Sequence, residues 1–216
     1  MKHLLELIFP RKCILCRRIL QKDEMDLCRD CRTDTEEHPK GKLKLQFIDS
    51  WAAVWYYKGY VRHCLLRYKF HRARNLAQPL GRLLAMKLIS TEEPEVDVVT
   101  WVPISRLRRF VRGYDQDELL ARAVAAELNL PCRPLLTKIR HNRTQSGIQG
   151  YAKRRANVLG VYRCPEPEAV AEQRILLVDD ILTTGATLSE CARVLLTAGA
   201  KEIHCAVVAS AHHKYS

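Results

Sequence analysis

The stretch Ile175-Leu176-Leu177-Val178-Asp179-Asp180-Ile181-Leu182-Thr183-Thr184-Gly185-Ala186-Thr187 restricts the fold of this chain more than any other. Four consecutive apolar residues suit a strand buried on both faces, and such strands belong to parallel sheets covered by helices. A polar turn follows, and from Leu188 to Ala198 apolar residues recur three and four apart, the period of a helix. Gly199 supplies a C-cap, and residues 203–209 are again apolar and β-branched. Upstream, Val96-Asp97-Val98-Val99-Thr100-Trp101-Val102 closed by Pro103 carries the signature of another buried strand. Strands alternating with helices specify an α/β fold with a mainly parallel sheet flanked by helices.

Residues 47–57, rich in aromatic and branched side chains and ended by Lys58-Gly59, predict a strand or hairpin. Helical spacing marks residues 61–68, 76–89 and 119–128. Residues 104–116 read as a basic loop. Residues 137–160 lack periodicity and read as a long mobile loop leading into a short helix. The first forty residues differ in character, with four cysteines, mixed charge and a break at His38-Pro39-Lys40-Gly41. The chain therefore divides into a module and linker over residues 1–40 and a larger domain over residues 45–216.

At 47% hydrophobic and 28% charged, the composition is that of a globular protein. No apolar run approaches the ~20 residues of a transmembrane helix, so no membrane insertion is expected. The start of the chain, interrupted by Glu6, does not fit a signal peptide, which points to the cytoplasm. Net charge is +12, and residues 104–155 alone carry +8 of it. Such clustering indicates a polyanionic partner, whether nucleic acid, membrane surface or phosphorylated substrate.

Nine cysteines without a secretory signal argue against a disulfide framework. Cys13, Cys16, Cys28 and Cys31 form two C-x-x-C pairs separated by eleven residues, the arrangement that tetrahedral Zn²⁺ takes in a closed structural site. So short a segment has too little core to fold alone, and the metal would supply its folding free energy. Redox pairs are the rival reading, but neither C-x-x-C follows a strand signal. Cys64, Cys132, Cys164, Cys191 and Cys205 read as small apolar fillers, and His212-His213 as a polar tail.

Asp179 and Asp180 stand where an apolar strand ends, the place where open α/β sheets bind ligands. The Thr183-Thr184-Gly185-Ala186-Thr187 turn opens a helix, so its N–H groups and hydroxyls converge at a positive terminus suited to phosphate. Carboxylates beside a phosphate cradle make sense when they bond sugar hydroxyls, and a ribose 5-phosphate satisfies both. The segment resembles the 5-phosphoribosyl 1-diphosphate (PRPP) motif of type I phosphoribosyltransferases. By that resemblance Asp179 and Asp180 bind the ribose 2′ and 3′ hydroxyls, Thr183 to Thr187 hold the 5-phosphate, and Mg²⁺ accompanies PRPP. Purine-salvage members carry an Asp where this chain has Thr183, which disfavours purine salvage.

Ser105, Arg106, Arg108, Arg109 and Arg112 follow the strand at residues 96–102 and match a diphosphate. Arg140, Arg143, Thr144 and Gln145, with Lys153, Arg154 and Arg155 after them, look like a lid able to close over a polyphosphate. Lys138 flanks that lid. Either segment also suits a plain nucleic-acid-facing patch, and the two roles are compatible.

The C-x-x-C knuckles, P-x-S-x-x-R-x-x-x-R-G-Y-x-Q, R-T-Q-x-G with R-x-x-N, and V-D-D-x-x-T-T-G-A-T together resemble the ComF/GntX family of competence-associated, phosphoribosyltransferase-like bacterial proteins. The resemblance implies a type I phosphoribosyltransferase-like sheet with a small amino-terminal zinc module built on four cysteines. It also implies DNA uptake in a bacterial cytoplasm, contact with single-stranded DNA, and other uptake-machinery proteins as partners. Two biochemical readings remain open. As an enzyme, the chain lets a nucleophile displace diphosphate from PRPP, and the alternative to a DNA role is an active phosphoribosyltransferase in nucleotide or sugar metabolism without a nucleic-acid role. As a binding module, it keeps the PRPP pocket as a sensor and uses its basic face on single strands. No acceptor pocket is legible in the sequence.

Overall fold

The computed structural model describes residues 10–39, 43–91, 95–140 and 158–211. In chain order its elements are α1 (Arg29–Asp34), β1 (Ser50–Tyr56), α2 (Gly59–Phe70), α3 (Ala77–Ser90), β2 (Val98–Trp101), α4 (Arg106–Arg112), α5 (Gln116–Leu128), β3 (Thr137–Lys138), β4 (Tyr162–Arg163), β5 (Arg174–Leu182), α6 (Ala186–Thr197) and β6 (Glu202–Ser210). Four strands pair in the order β1-β6-β5-β2, all parallel. β3 and β4 form a separate antiparallel pair.

Alternation along each strand divides the core in two. Leu176 and Val178 of β5, with Ala206 and Val208 of β6, face a cluster shared with α2, α3 and α5. Ile175 and Leu177, with Ile203, Cys205 and Val207, face Leu188, Cys191 and Leu195 of α6. Helices on both faces make this the expected α/β, phosphoribosyltransferase-like sandwich. The amino-terminal module does not stand apart, because Cys13, Ile14, Leu15, Leu20 and Leu27 lie in the same cluster as Val61, Leu65 and Leu80. The Arg67 guanidinium reinforces the contact by donating to the Ile14 carbonyl.

Three sequence expectations change. Residues 104–116 are not a continuous loop, for α4 occupies their centre. The Ser105 hydroxyl accepts from the Arg108 N–H at 3.4 Å and caps it. None of its residues is buried, so no core-facing stripe announced a helix. Residues 47–57 contain one strand rather than a hairpin, and β1 pairs with β6 on one side. β5 does not end at Val178 but continues through Asp179 and Asp180 to Leu182, still paired with β6.

The two long helices on one face cross closely. A Cβ on Gly81 would lie 2.4 Å from Ala123 Cβ and 3.0 Å from its backbone carbon. Helix propensity favours a side chain there by ~1 kcal/mol, but overpacking against backbone costs ~1–3 kcal/mol. Gly81→Val, whose β-branched side chain recovers only part of that propensity, is therefore expected to lower unfolding free energy by up to about 2 kcal/mol without loss of the fold, measured by denaturant titration with far-UV circular dichroism.

Candidate functional site

β2 bonds to β5 as far as Val102 N–H, which donates to the Val178 carbonyl, and then leaves the sheet at Pro103. β5 carries on, paired on one side only. Asp179 and Asp180 occupy this half-paired end and line a cleft of about 460 Å³. Thr183, Gly185, Ala186 and Thr187 form one wall, and Arg108 and Arg112 approach from another. Gly185 has φ +74, a conformation that favours glycine, and a Cβ there would also lie 2.4 Å from Leu45 Cδ2. α6 begins at the next residue.

The structure thus gathers most of the acidic-threonine turn and two of the four α4 arginines. It leaves others outside. Thr184 does not line the cleft, and its Oγ1 is buried without a hydrogen-bond partner. Ser105 serves as the α4 cap. Arg109 pairs with Glu118, while Arg106 and Arg140 are exposed and away from the cleft lining. Arg143, Thr144 and Gln145, like Lys153, Arg154, Arg155, His212 and His213, fall outside the described residues.

Two residues that sequence reasoning missed complete the acidic wall. Asp117, from the first turn of α5, brings a carboxylate oxygen to within 4.8 Å of one each from Asp179 and Asp180. Lys69, near the end of α2, holds Asp180 Oδ1 at 2.9 Å. Hydrogen bonds fix this junction: the Tyr68 hydroxyl donates to the Gln116 carbonyl at 2.5 Å, and the Tyr114 hydroxyl to the Tyr68 carbonyl at 2.6 Å. Asp115 caps α5 by accepting from the N–H groups of Asp117 and Glu118, and also accepts from Ile104 N–H. A signal was present in the sequence. Lys69 falls four residues after Leu65 and eight after Val61, and Asp117 falls three and seven before Leu120 and Val124, so each puts a charge on an apolar stripe.

The electrostatics follow from that crowding. Burial, then the charges of Asp180 and Asp179, push Asp117 well above the usual carboxylate range. Asp179 is pushed up to about 8 by burial and then by Asp180, against the pull of Lys69. For Lys69, burial works against the charge, but the Asp180, Asp179 and Asp117 carboxylates outweigh it and hold the ammonium above its usual value. Asp117 Oδ1 and Asp180 Oδ2 are buried with no hydrogen-bond partner. A wall with unused carboxylate oxygens at this spacing can accept sugar hydroxyls or a hard divalent cation.

At the other end, one sulfur from each of Cys13, Cys16, Cys28 and Cys31 lies within 4.8 Å of the others. Cys16 Sγ and Cys28 Sγ are 3.6 Å apart. Burial raises the Cys13 thiol, yet the N–H groups of Cys28, Cys16 and Leu15 outweigh it and hold it at about 7. Knuckle amides turned onto sulfur, with four thiols converging, fit a structural zinc ion.

Two family models match the chain: a double zinc ribbon domain over residues 4–42 and a phosphoribosyl transferase domain over residues 118–216. With the fold, they define a phosphoribosyltransferase-like protein carrying an amino-terminal zinc ribbon. The chain is 25% identical over 218 residues to Competence protein F of Haemophilus influenzae, covering 90% of this chain and 95% of the relative. It is 28% identical over 223 residues to DNA utilization protein YhgH of Escherichia coli O6:H1, covering 91% and 96%. These likenesses bear out the resemblance to the ComF/GntX family. A solved glutamine PRPP amidotransferase from B. subtilis is 26% identical with a TM-score of 0.42, over 65% of this chain and 30% of that one.

Removing one partner of a buried ion pair costs ~3–5 kcal/mol, because the other charge is left uncompensated. Lys69→Met is expected to destabilise by about that much, and Lys69→Met combined with Asp180→Asn to recover most of it, read by chemical denaturation of all four chains of the cycle. The purified protein should carry about one Zn²⁺ per chain. Since the module shares its core with α2 and α3, chelation should raise hydrogen exchange in α2 as well as around the cysteines. Metal-free protein from a chelator-free preparation would count against the zinc assignment.

Proposed function

We propose that this protein binds PRPP with Mg²⁺ in the cleft and acts in the cytoplasm in the handling of incoming DNA, contacting single strands and other uptake proteins. In this reading residues 1–40 are the zinc module and residues 45–216 the phosphoribosyltransferase-like domain. The observation that carries it is the convergence of Asp179, Asp180 and the Gly185 turn with Arg108 and Arg112 in one cleft. The names of the relatives, Competence protein F and DNA utilization protein YhgH, support the DNA role.

The residues divide the ligand between them. Asp179 and Asp180 accept the ribose hydroxyls, and Lys69 keeps Asp180 oriented. Thr183, Thr187 and the first N–H groups of α6 receive the 5-phosphate at a positive helix end. Arg108 and Arg112 face the diphosphate. The unpartnered oxygens of Asp117 and Asp180 suit the cation that travels with PRPP, and bound Mg²⁺ supplies charge neutralisation to the diphosphate.

Nucleic acid finds a cation on the helix that also carries Arg108 and Arg112. Arg106 lies on the exposed side of α4 beside Phe110, which is 86% exposed and presents a stacking surface. The basic stretch around it supports binding through phosphates, indifferent to base sequence.

Calorimetric titration tests the first half. The wild type should bind Mg²⁺-PRPP, and Asp179→Asn with Asp180→Asn should abolish binding while the far-UV spectrum is kept, since each hydrogen bond to a charged acceptor is worth ~1.5–3 kcal/mol. A screen for diphosphate release across bases and nucleic acids then separates an enzyme from a sensor. For the second half, single-strand affinity should fall with log salt at ~0.7 per phosphate neutralised, and Arg106→Ala should weaken it without changing PRPP affinity. Equal DNA affinity at low and high salt would overturn the phosphate-contact reading.

A further inference from the structure

Lys138 is the last residue of β3 and lines the cleft across from the acidic wall. Its hydrogen-bond partner is the Tyr162 hydroxyl of β4, at 3.3 Å, and its ammonium position lies 5.1 Å from the Tyr162 ring centroid. Tyr162 is buried, so this side of the cleft is a low-dielectric surface with one lysine at its edge. No carboxylate forms an ion pair with Lys138 among the described residues. In this respect it differs from Lys69, which Asp180 neutralises. The cation nearest in effect is Arg108 of α4, a like charge on the same wall. An unpaired lysine facing an arginine over a buried tyrosine is a site built to be completed by an anion.

We propose that Lys138 is a proton-coupled anchor for the diphosphate end of the ligand, taking up a proton from solvent as the anion settles between it and Arg108. The inference rests on the PRPP reading and adds to it a residue and a pH dependence. Titratable or charged groups that act on Lys138 come from every element around it: Arg108 from α4, Tyr162 from β4, Asp117 from α5, Asp179 from β5 and Cys191 from α6. Burial first, and then the Arg108 charge, hold Lys138 down at about 8, against the weaker pull of Cys191, Asp179 and Asp117. The sign follows. Below about pH 8 the free protein already carries the charge, and binding needs no proton. Above it the free lysine is neutral, and an anion that restores the ammonium must bring about proton uptake. Anion affinity therefore falls as pH rises through this range.

The test is calorimetric titration of full-length protein with inorganic diphosphate, and with PRPP, each with Mg²⁺, at pH 6.5 and pH 8.8. Each titration is run in two buffers of different ionisation enthalpy, which yields the protons exchanged on binding. Because diphosphate itself titrates, wild type is compared with Lys138→Arg, whose guanidinium stays charged throughout. At pH 8.8 the wild type should take up more than half a proton in excess of Lys138→Arg, and at pH 6.5 the two should agree. Affinity should fall several-fold more between these pH values in wild type than in Lys138→Arg. Lys138→Met, checked for folding by thermal melting, should bind more weakly at pH 6.5, and if it does not fold the arginine variant decides alone. Equal proton uptake by wild type and Lys138→Arg at both pH values overturns the anchor while leaving PRPP binding intact. Failure of the wild type to bind either ligand overturns the PRPP reading and the anchor together.

Discussion

Everything about the cleft depends on one strand being held on two sides and then on one. Up to Val178, β5 is bonded to both β2 and β6, which fixes its twist and buries both faces. Beyond Val178 only β6 continues, and the space vacated by β2 is where α4, α5 and the end of α2 converge. Two adjacent residues of a strand point to opposite faces, so Asp179 and Asp180 can both serve the cleft only where a neighbour is missing. Peeling a strand away at a chosen residue is thus the step that opens a cleft in a packed sheet.

The cost of that opening is electrostatic. Three carboxylates, those of Asp117 and Asp180 buried and that of Asp179 half-buried, are pressed together, with Lys69 on Asp180 to offset them. Isolated buried charge is expensive, and such a cluster persists only because the surrounding hydrogen bonds hold α2 and α5 in position. A divalent cation placed among these carboxylates would relieve that crowding.

How much of this was legible follows from what sequence signals measure. The strand, turn and helix over residues 175–197 were read in order because hydrophobic periodicity and turn chemistry are local. The paired cysteine knuckles were read because metal ligands come at fixed spacing. Helix α4 was missed for the opposite reason: it buries nothing, so Leu107, Phe110 and Val111 gave no core-facing stripe, and its arginines read as a loop. Lys69 and Asp117 were passed over although each interrupts an apolar stripe, because their meaning depends on a meeting between α2, α5 and β5 that no window of sequence contains. The length of β5 was underestimated since acids look like the end of a strand, while the actual limit is set by the partner β6.

The contact between Gly185 and Leu45 has a consequence for how this chain can vary. Leu45 belongs to the segment that leads from the zinc module into β1, some 140 positions earlier in the chain, yet its side chain fills the space beside the Gly185 turn. Trimming Leu45 would clear the volume but leave the left-handed backbone at position 185, so the two constraints on that glycine are separable in kind. The connecting segment is then no passive tether. Drift in its sequence is answerable to the turn it supports, since a change at Leu45 alters the packing beside Gly185 without touching the turn itself.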